Sequence, residues 1–447
     1  MILHEVRALG TRLPASSSWL VCAIALTSGC GERLAKPGSV ASDEAVLPAV
    51  LRPTQTAAPP SEPPPYVAPL TAGEVEFSSK LNRFFTELGK LEKGAAVDDV
   101  RVVWFGDSHT AADMSTGQVR RALQGRFGDG GRGLVPIGGA YKGYHQDGVV
   151  GGTFKQFELE RGKYHRGHFI GDGFYGLAGI ALAAHRSSAS ATSEYVAKSS
   201  RIEISYLAQP RGGSFDIYVD RHRMVTVPTG SVDVSAAYRT LSVPEGNHTV
   251  EVKARGDGPV RIFGVTLDRA QLGVTLDALG INGARVSGML NWNEAHFAEQ
   301  LRHRSPHLVV LSFGTNEAVD DAPIESHERH LVDVLGRVSR AVPEAGCLIV
   351  GPPDMGVEVS GGYVPNLRLR DIIRMQRRVA DAAGCAFFDQ QAAMGGEGAM
   401  LKWAEEEPVR AARDRVHFTK DGYTLLGTAL SSALLRAFDA ARVDPNP

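Results

Sequence analysis

Val100-Arg101-Val102-Val103-Trp104-Phe105-Gly106-Asp107-Ser108-His109 is the stretch on which the fold turns. Val100 to Phe105 is a short apolar run rich in β-formers. Gly106-Asp107 follows as a turn, and Ser115 to Phe127 has helical periodicity. The reading is strand, sharp turn, helix. A serine at such a turn projects from the sheet edge beside a helix N-terminus, where its own N–H can stabilise negative charge. The competing reading of Ser108 is a helix N-cap, a place that Ser and Asp favour.

The same alternation resumes further along the chain. Leu308 to Phe313, Cys347 to Val350 and Ala386 to Asp389 read as strands. Ile324 to Val342, Leu367 to Ala383 and Gly422 to Ala441 read as helices, as does Ala72 to Leu91 before the first strand. Strands alternating with helices of this length predict an α/β fold, a parallel sheet with both faces covered. Ligands of such sheets bind at the carboxyl ends of the strands.

Between Lys142 and Asp268 helical periodicity fades. Runs with period two appear instead: Arg201 to Leu207, Ser214 to Val219, Thr249 to Ala254 and Val260 to Val265. Clusters such as Pro210-Arg211-Gly212-Gly213 and Pro244-Glu245-Gly246-Asn247 separate them as turns. This pattern predicts an inserted antiparallel β-sandwich over 142–272, dividing an α/β domain made of 71–141 and 273–447.

The N-terminal 30 residues read as a targeting segment. Arg7 and Arg12 are weakly basic, and Trp19 to Leu26 is an apolar run too short to span a bilayer. Ser28-Gly29-Cys30 resembles a bacterial lipobox, with Leu26 one place further from Cys30 than usual; it would put a diacylglycerol on Cys30. The alternative is a plain secretory signal. Residues 31–70 are dense in Pro, including Pro63-Pro64-Pro65, and read as an extended tether. The expected place is the exported cell envelope, in the periplasm or at the outer membrane, with membrane contact through that anchor. Cys22 would leave with the signal. Cys347 and Cys385 each open an apolar run after an Ala-Gly pair. If those runs are neighbouring strands, the thiols are either bonded or two buried free cysteines, and both readings stay open.

Of 447 residues, 48 are basic and 50 acidic, a net charge of -2 that argues against a nucleic-acid partner. Acyl transfer by serine needs a base, a carboxylate to orient it, and donors for the oxyanion. Asp414 and His417, three apart before the last helix, have the spacing for a carboxylate on Nδ1 with Nε2 facing a nucleophile. Taken alone, they read rather as a capping pair at the surface. Asn316, in Gly314-Thr315-Asn316-Glu317 after a strand, could donate an amide N–H, or simply be a turn asparagine. Gly288 could offer a backbone N–H, with Gly283 competing for that place. No metal-ligand cluster and no cofactor motif is seen.

Gly106-Asp107-Ser108, Gly314-Thr315-Asn316-Glu317 and Asp414-Arg415-Val416-His417, in this order, resemble the blocks of the SGNH (GDSL-like) hydrolase superfamily. The resemblance implies a three-layer sandwich around a parallel five-stranded, flavodoxin-like sheet, with Ser108 as nucleophile and Asp414 and His417 as its partners. The oxyanion donors would be Ser108, Gly288 and Asn316. Gly106 to Asp113, then Thr116-Gly117 and Phe127 to Leu134, resemble the peptidoglycan O-acetyl esterase branch, whose members carry a carbohydrate-binding-like β domain after the first block. That implies an exported esterase removing O-acetyl or other short acyl groups from an acetylated cell-envelope glycan such as peptidoglycan. Two readings compete: an O-acyltransferase with the same triad, and a non-catalytic glycan-binding lipoprotein. His109 and Asp113 could support the reacting groups from behind, but are expected rather to face solvent or to cap.

Overall fold

The computed structural model describes residues 73–443 apart from 140–143, 163, 166, 167, 170 and 186. The targeting segment, Cys30 and the whole tether lie outside the described residues. Five parallel strands run in the order Ala386–Phe388, Gly346–Val350, Leu308–Ser312, Val100–Gly106, Val274–Gly280. A sixth, Val75–Glu76, adds antiparallel at the edge beside Ala386–Phe388. It lies within the stretch expected to be helical, because Phe77 (φ 55) breaks the chain before the helix Asn82–Glu92.

The strands are apolar on both faces, as a covered parallel sheet requires. Val103, Phe105, Val309, Leu311 and Ile349 face the helices Glu294–Arg304, Ile324–Ala341 and Arg368–Ala382. Val102, Trp104, Leu276, Val310 and Leu348 face Asn82–Glu92, Ser115–Phe127 and Lys420–Val443. Three layers result. The strand Val274–Gly280 and the helix Glu294–Arg304 were not distinguished in the sequence.

The antiparallel region forms, among the described residues, one main hydrogen-bonded network. Its nine strands are joined by hydrogen bonds into one sheet around one core. Two long strands, Ser190–Ala208 and Ser235–Ala254, pair along most of their length and connect the rest. The expected turn at Pro244-Glu245-Gly246-Asn247 lies inside the second of these as register shifts, not a chain reversal: extra residues are absorbed as a bulge. The sheet also starts earlier than residue 142, because Gly131–Val135 pairs with Val260–Asp268. Leu134 N donates to Asp277 Oδ1 at 2.8 Å, tying this sheet to the parallel one.

Candidate active site

Register brings the chemistry together. Gly106 pairs with both Gly280 and Ser312, so three neighbouring strands end level, and their following loops carry Ser108, Gly283 and Asn316. The two glycines permit this closeness. A Cβ on Gly106 would meet Thr110 Oγ1 at 2.0 Å, and one on Gly280 would meet Ala111 N at 2.1 Å.

Ser108 opens the short helix Ser108–Ala111. The N-cap is Asp107, whose Oδ1 accepts from His109 N at 3.0 Å, so the Ser108 hydroxyl is not used for capping. That hydroxyl lies 2.8 Å from His417 Nε2. His417 Nδ1 lies 2.7 Å from Asp414 Oδ2, while Asp414 Oδ1 accepts from Val416 N at 3.0 Å and His417 N at 2.9 Å. With Nδ1–H donating to the carboxylate, Nε2 is left to accept from Ser108. Partial burial alone would raise the Asp414 carboxyl; the His417 ring and the two backbone donors outweigh it and hold the group below its usual value. The loop carrying the pair closes on itself, with Ala412 N donating to His417 O at 2.8 Å. It is braced from outside by a hairpin, Gly356–Val359 with Gly362–Pro365, where Gly356 N donates to Arg415 O at 2.7 Å.

On the oxyanion side, Asn316 Nδ2 donates to Ala284 O at 2.9 Å, which draws it against the loop after Val274–Gly280. Gly288 does not fit the role expected of it. It lies in the 3₁₀ turn Val286–Asn291 and gives its N–H to Arg285 O at 2.9 Å. Gly283 sits in the loop next to Ala284 with φ 73, a left-handed turn that suits glycine. Glu317 fixes both loops: its buried carboxylate accepts from Val286 N at 2.8 Å and Gly314 N at 3.0 Å. Burial pushes this carboxyl up to about 7 despite the two donors.

His109 and Asp113 do not face solvent as expected: both are buried. His109 Nδ1 lies 3.1 Å from Tyr423 OH. Asp113 accepts from Thr116 Oγ1 (2.6 Å), Arg120 Nη2 (3.0 Å), Arg132 Nη2 (2.7 Å) and Asp147 N (2.9 Å). A lone acidic residue after a turn gives no sign of such partners, because Arg132 and Asp147 come from later segments. Cys347 and Cys385 form a disulfide, with Cα atoms 4.6 Å apart, near the amino ends of adjacent strands and so at the far end of the sheet from Ser108. Among the described residues no group of His, Cys, Asp or Glu has the arrangement of a metal site.

Residues 247–425 match the GDSL-like lipase/acylhydrolase family. The match holds the loops of Gly283, Asn316 and His417 and begins beyond Ser108, which the antiparallel insertion separates from them. A solved structure described as a peptidoglycan O-acetylesterase in action is similar at 27% identity and TM-score 0.68, over 82% of this chain and 99% of its own. An acetyl xylan esterase is similar at 18% identity and TM-score 0.28, over 36% of this chain and 81% of its own. A family two carbohydrate esterase from Cellvibrio japonicus is similar at 10% identity and TM-score 0.25, over 64% and 99%. A comparison with curated protein sequences finds no match.

Proposed function

We propose that this SGNH-type carboxylic ester hydrolase removes O-acetyl groups from a cell-envelope polysaccharide such as peptidoglycan, through an acyl-enzyme on Ser108. The observation that carries the reading is the continuous relay from Asp414 Oδ2 to His417 (2.7 Å) to Ser108 Oγ (2.8 Å). The substrate class rests on the likeness to the peptidoglycan O-acetylesterase. Export and anchoring at Cys30 belong to the same proposal.

His417 Nε2 takes the proton of Ser108 as Oγ attacks the ester carbonyl, and Asp414 stabilises the imidazolium that forms. The oxyanion meets the N–H of Ser108, at the start of a helix whose first N–H groups have no acceptor within it. It also meets the N–H of Gly283, and the second N–H of the Asn316 amide, whose first is held by Ala284. Gly283 takes the place first given to Gly288. The sugar alcohol leaves with the proton from His417. Water then repeats the sequence on the acyl group and releases acetate.

The test is acetate release from O-acetylated peptidoglycan by the protein beside its Ser108→Ala variant. Loss of about 10⁴-fold or more in the variant is expected. No release by the unaltered, folded protein would sink the substrate reading. Release that survives in Ser108→Ala would sink the nucleophile.

A further inference from the structure

We propose that His109 is a positioning residue: anchored by the Tyr423 hydroxyl, its ring is the wall that keeps the His417 ring aimed at Ser108. The inference rests on the Ser108–His417 reading above and goes beyond it, since that mechanism gives His109 no part.

The wall answers a need set by the geometry. The side chains of His417 and Asp414 are 39% and 53% exposed. A hydrogen-bonded pair so open to water is screened and gives little restraint by itself. Something else must hold the imidazole, because a misplacement of about 1 Å at a reacting group can cost on the order of 10²-fold in rate. The His109 ring centroid lies 5.3 Å from that of His417, 5.6 Å from Phe418 and 5.9 Å from Tyr423. Phe418 and Tyr423 meet edge to face at 5.2 Å, so the wall is itself packed from behind. His109 is also tied to the nucleophile's own turn, since its backbone N–H donates to the Asp107 cap one residue before Ser108. One short helix thus fixes both Ser108 and the surface against which its base rests.

A histidine in this place has a cost that a phenylalanine would not. His109 Nε2 is buried with no hydrogen-bond partner, and only Nδ1 is satisfied, by Tyr423. Burial, with the neighbouring His417 adding to it, holds the ring down to about 3, so it stays neutral beside the imidazolium that His417 becomes. A second cation at that distance would oppose the first proton transfer.

The experiment compares His109→Ala, His109→Phe and Tyr423→Phe in the full chain, with Ser108→Ala as reference. It reads kcat, KM and the low-field proton resonance of the His417 Nδ1–H bond to Asp414. His109→Ala should lower kcat about 10- to 100-fold with KM changed less than about twofold, and should broaden the resonance. Tyr423→Phe should act in the same direction, at roughly 3- to 10-fold. His109→Phe keeps a ring in place and should recover kcat to within about threefold of the unaltered protein, with the resonance restored. Unchanged kcat in His109→Ala overturns the proposal. So does a fall in kcat with an unchanged resonance, or a folded His109→Phe as slow as His109→Ala. If His109→Ala does not fold, unchanged kcat and resonance in Tyr423→Phe overturn it. Activity surviving in Ser108→Ala would mark failure of the underlying reading instead.

Discussion

The two ends of the relay are built in opposite ways. Ser108 opens a short helix with buried His109, Thr110 and Ala111 behind it, and Asp113, five residues on, is fully enclosed and bonded to Arg120, Arg132 and Thr116. His417 and Asp414 stand on an exposed loop held by its own backbone bonds and by a hairpin. The position of Ser108 is therefore a property of the core. That of His417 comes from bonds within its own loop, from the hairpin and from the surface it rests on. The difference teaches where damage should fall: on folding at one end, and on chemistry alone at the other.

Substitution at matched carboxylates gives the largest contrast. Asp113→Asn leaves two buried guanidiniums short of their counter-charge and should cost about 3–5 kcal/mol of stability, read from the urea midpoint. Burial alone would raise the Asp113 carboxyl, and the two arginines hold it below its usual value, so charge is what they require. Asp414→Asn should leave the urea midpoint in place and lower kcat by about 10³–10⁴-fold. Equal midpoints in the two variants would break the comparison.

Next in size is the oxyanion side. Asn316→Ala should reduce kcat about 10²–10³-fold without unfolding the protein. Gly283→Ala should reduce turnover more than Gly288→Ala, because the Gly288 N–H already serves Arg285 O. The reverse order would return the donor role to Gly288.

The smallest effect is a titration beside Ser108. The ordinary histidine value is 6.5, and burial holds His109 down to about 3. As pH falls through 6.5 the unfolded chain takes up a proton that the folded one refuses, so this stability is present above 6.5 and lost below it. Asp107 acts the other way: burial raises it to about 6 from 3.8, so between those values stability falls as pH rises. The two oppose each other, so only a difference isolates one. Between pH 7 and pH 5, His109→Phe should gain about 2 kcal/mol relative to the unaltered protein in urea unfolding. A constant difference would mean that the ring is not held neutral by burial.

Much of this was legible in the linear chain. The strand before Ser108, the helix Ser115–Phe127 and the later strand–helix alternation follow from local periodicity, which is carried by neighbours three, four or two residues apart. The spacing of Asp414 and His417 is local in the same sense, and the pair meets as that spacing suggests. Local sequence suits either Asp107 or Ser108 as the N-cap, and the fold gives the place to Asp107.

What the sequence determined by itself was the kind of chemistry available and the layered plan that could hold it, because residue type and short-range period are written into the chain. Tertiary structure alone decided that the Gly288 N–H is spent on Arg285 O and that Pro244 to Asn247 is a bulge rather than a turn. It alone decided that His109 and Asp113 are buried, and that Cys347 and Cys385 are bonded. The reason is common to nearly all of them. Most depend on partners far away in sequence, such as Arg132 for Asp113 or Tyr423 for His109, and burial or hydrogen-bond commitment exists only once those partners arrive.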